Sequence, residues 1–135
     1  MEGADIIMGE SWCSEVSKEC NSTEYRLVNK FTLKSVFSNR QDCPLVIYRS
    51  NKFEGSHARI CKYPFGTVIA KNLSDKHPLT LLIKKDEHCY EQLYVPPKSE
   101  AALSVTSIEE ASVYADSGGI AAGLFYFDLI QPIDL

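Results

Sequence analysis

The sequence is poor in the residues that interrupt or unsettle a chain. Among 135 residues there are seven Gly and six Pro, too few for a low-complexity linker or a collagen. No apolar run approaches the roughly 18 residues that a membrane-spanning helix requires. The opening Met-Glu-Gly-Ala-Asp has no basic n-region and no apolar stretch follows it, so no secretory leader is visible. A positive total charge is missing too. The net charge of −4 disfavours non-specific nucleic-acid binding, because neutralising phosphates takes a positive field. Catalytic signatures are absent as well: there is no Gly-x-Ser-x-Gly elbow, no Gly-x-x-x-x-Gly-Lys phosphate loop, and Gly118-Gly119 stands without the rest of a dinucleotide fingerprint.

What remains is the composition of one ordinary domain, 44% hydrophobic and 24% charged. Its apolar residues recur with period two. Tyr25, Leu27, Phe31, Leu33 and Phe37 occupy odd positions, with Arg26, Lys30, Thr32 and Lys34 between them, the pattern of a half-buried strand. Val36 breaks the phase and predicts a bulge or the strand's end. Further short runs follow at 45–48, 58–63, 67–70, 79–83 and 89–95, separated by turn residues. The segment 120–130, centred on Leu124-Phe125-Tyr126-Phe127, reads as an interior strand that Pro132 stops.

Seven to eight strands at this spacing predict an all-β fold, an antiparallel sandwich or partly open barrel. One short helix is expected near 107–115, because Ser107-Ile108-Glu109-Glu110 fits the Ser-x-x-Glu capping box. The rival reading makes 101–106 and 112–115 two strands. Residues 1–24 read as an irregular arm anchored by Trp12, and 25–135 as a single β-rich domain.

Five cysteines exceed the usual number for a cytosolic domain of this size. If residues 45–48 and 58–63 fold as a hairpin, Cys43 and Cys61 come to facing positions, which makes them the favoured bridge. Cys13 and Cys20 would close a small loop, or either one would staple the arm to the body. Two compartments stay open: secreted or extracellular as a mature fragment, with bridges, or cytoplasmic with reduced, buried cysteines. The sequons Asn21-Ser22-Thr23 and Asn72-Leu73-Ser74 allow a glycoprotein, although chance comes close to supplying that many.

Three kinds of chemistry are open to the side chains present. A thiolate at Cys61 or Cys89 with His57, His77 or His88 as base, and Asp75 or Asp86 to orient it, would make a small hydrolase or transferase. The plainer reading is core cysteines and solvent-facing histidines. Metal binding by Cys43, His57, Cys61, His88 and Cys89 lacks the closely paired ligands of zinc sites, so neither metal nor cofactor is expected. The adjacent acid pairs Asp86-Glu87 and Glu109-Glu110 diverge in any regular structure and read as solvated charge.

The most distinctive feature is charge asymmetry. Residues 26–62 hold eight basic side chains against two acidic ones and are +6, whereas the remainder is −10. In one continuous meander, Arg26, Lys30, Lys34, Tyr48, Arg49, Lys52, Arg59 and Lys62 would share a surface for a protein partner or an anionic surface. The plainer alternative is neutralisation by the acidic flanks. A second binding route is strand addition. The charged strand 26–34 is a candidate sheet edge, open to a peptide or to another copy as in a homo-oligomer, whereas the apolar strand 120–130 belongs in the middle. The expected function is a noncatalytic interaction module, with the Cys/His enzyme and a cytosolic assembly subunit as alternatives.

Overall fold

The computed structural model describes residues 10–13, 25–50, 63–116 and 119–133. They form nine strands and no helix: β1 (Glu10–Cys13), β2 (Tyr25–Phe37), β3 (Leu45–Arg49), β4 (Phe65–Asn72), β5 (Leu79–Asp86), β6 (Cys89–Val95), β7 (Glu100–Val105), β8 (Glu110–Ala115) and β9 (Ala121–Ile133). Every pairing is antiparallel. One sheet has the order β1-β6-β5-β8-β3 and the other β2-β9-β4-β7, the all-β sandwich that the alternating pattern predicts.

Alternation explains the core. Leu79, Leu81 and Ile83 of β5, Leu93 and Val95 of β6, and Ala111, Val113 and Ala115 of β8 line the inner face of the five-stranded sheet. They meet Phe37 of β2, Val68 and Ala70 of β4, Val105 of β7, and Phe125, Phe127 and Leu129 of β9 in one buried cluster. Successive side chains on a strand point to opposite faces, so each of these strands delivers every second residue inward.

The helix expected near 107–115 is absent, and the two-strand alternative for 101–106 and 112–115 describes the chain instead. Ser107 does not cap anything. Its hydroxyl donates to the Lys85 carbonyl, while the backbone N–H groups of Ile108 and Glu109 donate to the carbonyls of Pro64 and Lys84. These long-range partners hold 106–109 out of a helix, and Ala111, Val113 and Ala115 gain more from a shared buried face than a short helix would return.

Within the stretch read as an irregular arm, residues 10–13 form a strand paired to β6, and the rest of that stretch lies outside the described residues. Of the two outcomes read from Val36, the strand's end is the one seen: β2 pairs with β9 without a register shift and stops at Phe37, with Val36 on the outer face. A bulge does occur in β3, between Val46 and Tyr48. The extra residue, Ile47, resets the alternation, so that Leu45 and Tyr48 both pack against the core. Gly66 serves a close crossing. Its φ is 152°, and a Cβ there would lie 2.0 Å from the Asp128 carbonyl oxygen on β9.

Candidate interaction surface

The chain passes from β2 in one sheet to β3 in the other, so the basic segment is not one meander. Its described members therefore stand on two different sheets. Arg26 sits in β2 opposite Pro132. Lys30 and Lys34 stand on the exposed outer face of the four-stranded sheet, and the Lys30 ammonium lies 3.9 Å from Asp128. Arg49 belongs to the five-stranded sheet, where its Nε and Nη2 donate to Glu110 Oε1 at 3.0 and 2.9 Å. Lys52, Arg59 and Lys62 lie outside the described residues. Exposed pairs such as Lys30–Asp128 contribute little to stability, but they do neutralise charge.

Tyr48 is half-buried and packs against the core. Its ring centroid lies 5.5 Å from that of Phe31 and 5.4 Å from that of Phe127, while Phe31 and Phe127 stack at 4.6 Å. These three rings join β2, β3 and β9 across the two sheets, and burial pushes the Tyr48 phenol above its ordinary pKa. Tyr63 is raised also, first by burial and then by the carboxylate of Glu109, to which it is hydrogen-bonded.

The cysteines divide. Cys43 is a free, exposed thiol, so the favoured Cys43–Cys61 bridge is not formed. Cys43 closes a turn, its N–H donating to the Arg40 carbonyl and its carbonyl accepting from Asn39 Nδ2, and β3 pairs with β8. Cys89 is disulfide-bonded, which removes it as a thiolate nucleophile. Cys20, Cys61 and His57 lie outside the described residues.

The remaining enzyme candidates are dispersed. The His77 ring packs against Gly119, so closely that a Cβ on that glycine would fall 2.2 Å from it. The exposed His88 lies 4.0 Å from Glu87, and Asp75 lies 3.4 Å from Lys98. Among the described residues no group of three or more His, Cys, Asp or Glu side chains could hold a metal ion. A shallow depression of about 260 Å³ is lined by Gln41, Thr80, Gln92, Tyr94, Tyr114 and Asp116. It holds neither a thiol nor an imidazole.

Asn72, half of a sequon, proves structural. It is buried, its Nδ2 donates to the carbonyls of His77 and Val95 at 2.9 and 3.0 Å, and its Oδ1 accepts from the Ser74 N–H and hydroxyl. The nitrogen a glycan would need is committed to bonds inside the fold. Asn21 lies outside the described residues.

Strand addition has firmer geometry. β2 is an edge strand, as its charged outer positions predict, and β9 is central. Among the described residues, only β9 pairs with β2. β2 runs for 13 residues, longer than the usual 3–10, and exposes Val28 and Val36 at 64% and 65%. With Tyr126 of β9, at 40%, they are exposed apolar side chains set among the charged ones of this outer face. The signal was there in the even-numbered valines, which are misplaced for an ordinary solvent-facing strand.

No protein family and no curated protein sequence matches the chain. Among solved structures, one described as "Bacillus endospore appendages form a novel family of disulfide-linked pili" is similar over 88% of this chain and 100% of its own, with a TM-score of 0.59 and 12% identity. At that identity the likeness establishes a shared β-sandwich fold.

Proposed function

We propose that this chain is a noncatalytic assembly subunit whose copies join through sheet edges, with β2 as the principal docking strand. The observation that carries the reading is the length and exposure of β2: 13 residues paired on one side by β9, with Val28 and Val36 exposed on its outer face. An edge presents unpaired N–H and C=O groups, and an added strand satisfies them while covering neighbouring apolar side chains. Natural monomers blunt such edges by keeping them short or bulged, and β2 is neither. The solved neighbour's description as a disulfide-linked pilus agrees with a sandwich used for assembly. A disulfide at Cys89 agrees with an oxidising, extracellular setting.

Capture of an anionic surface is the weaker reading, because Lys30 and Lys34 are separated from Arg49 by the sheet order and Arg49 is committed to Glu110. Sedimentation of the purified chain over a range of concentrations tests assembly. We expect oligomers or filaments that grow with concentration. Val28→Lys combined with Val36→Lys should raise the concentration needed by about tenfold or more while leaving the circular dichroism spectrum unchanged. A chain that stays monomeric throughout, or a double variant that assembles like the parent, overturns the proposal.

A further inference from the structure

We infer that Cys89 is bonded to Cys13 of the same chain, a cross-strand bridge that fastens β1 to β6. Cys89 is disulfide-bonded and Cys43 is free, which leaves Cys13, Cys20 and Cys61 as partners. The strand register selects among them. In the β1–β6 ladder, Glu10 opposes Gln92, Ser11 opposes Glu91, Trp12 opposes Tyr90 and Cys13 opposes Cys89. Directly opposed residues of an antiparallel pair have Cα atoms about 4.5–5.5 Å apart, within the range of about 4.4–6.8 Å that a disulfide spans.

The face agrees as well. Cys89 is buried on the same side of its strand as Leu93 and Val95, and opposed residues of a ladder lie on the same side of a sheet. β1 has reason to need a covalent tie. It is four residues long, it forms the edge of its sheet, and β6 is its sole strand partner among the described residues. So short a ladder is marginal by itself. The bridge makes β1 a permanent edge and closes the β6 side of this sheet, a conclusion that stands whether or not copies assemble.

Formation of the bond is an ordinary exchange with a small-molecule disulfide such as oxidised glutathione. One cysteine thiolate attacks that disulfide and expels one thiol. The second cysteine thiolate then attacks the mixed disulfide at the protein sulfur and expels the other thiol. The two protein thiols lose two protons and two electrons, and the reagent is reduced to two thiols.

The test is peptide mapping. An equal mixture of nitrogen-15-labelled and unlabelled chains is unfolded, oxidised and refolded together; free thiols are alkylated under denaturing, non-reducing conditions, and the chains are digested and analysed by mass spectrometry. The expected result is a peptide joining Cys13 to Cys89, present only in the all-light and all-heavy forms and abolished by reduction, with Cys43 alkylated. Cys13→Ser should then leave Cys89 open to alkylation and speed amide exchange in β6 residues 89–92. A bridge from Cys89 to Cys20 or Cys61 overturns the inference. So does a mixed-isotope Cys13–Cys89 peptide, which marks a bond between copies, or an alkylated Cys13 in the parent chain.

Discussion

β2 and β9 are equal in length and paired residue for residue, Tyr25 with Ile133 at one end and Phe37 with Ala121 at the other, yet they do opposite things. β9 has neighbours on both sides and buries Phe125, Phe127 and Leu129. Among the described residues β2 has one neighbour, and it places Lys30, Thr32 and Lys34 in solvent along with two valines. The same ladder therefore joins a buried strand to an exposed one. Stability should be concentrated in β9 and the residues that seat it, and contact with other molecules along β2.

The sharpest test of that division is Phe127→Ala. The ring is 1% exposed and stacks on Phe31, with Tyr48 beside it, so its removal leaves a cavity between the sheets. Urea denaturation should show a loss of about 3–5 kcal/mol. On β2, Thr32→Ala should stay within about 0.5 kcal/mol, as exposed substitutions usually do. Equal losses at the two positions would erase the distinction.

Gly66→Ala comes next. It asks whether β9 needs its close approach to β4. At φ 152° an alanine is strained, and its Cβ would collide with the Asp128 carbonyl that β9 presents. A loss of about 3 kcal/mol is expected by denaturation, from backbone strain and displacement of β9 together. Asn72→Ala should cost somewhat less, about 2 kcal/mol, because the carbonyls of His77 and Val95 each lose a donor in a buried place. Asn72→Asp should not rescue it, since a carboxylate cannot donate.

How much of this was legible in the sequence follows from the range over which each signal acts. Period-two alternation is local and strong, and it located β2, β4, β5, β6 and β9 and the core residues they supply. The edge position of β2 was legible too, because lysines alternate along it. The Ser107 capping box was equally local but misleading: the partners that hold this segment out of a helix, Pro64 and Lys84, are distant in sequence. Tyr48 could not be placed inward without knowing that Ile47 is an extra residue. The charge surplus of 26–62 was legible as arithmetic but its arrangement in space was not, since nothing in composition reveals that the chain changes sheets between Phe37 and Leu45. Pairing of cysteines had the same weakness. It depends on register across strands, and the register of β1 with β6 joins residues far apart in the chain.

The smallest expected effect lies where the two strands meet a third. Tyr48 touches both Phe31 of β2 and Phe127 of β9, and burial holds its phenol above the ordinary value of 10.0. A raised pKa means that the folded protein favours the protonated ring more than the unfolded chain does. The resulting stability is fully present below the unfolded pKa and is lost as pH rises through the folded one. Denaturation midpoints should therefore hold steady near neutrality and decline above about pH 10. Tyr48→Phe, which keeps the stacked ring and removes the proton, should make that alkaline decline shallower without abolishing it, because Tyr63 is raised as well. If the decline is unchanged in Tyr48→Phe, the ring is not held between the sheets as tightly as its contacts with β2 and β9 require, and the junction of the open strand with the buried one is looser than the stack implies.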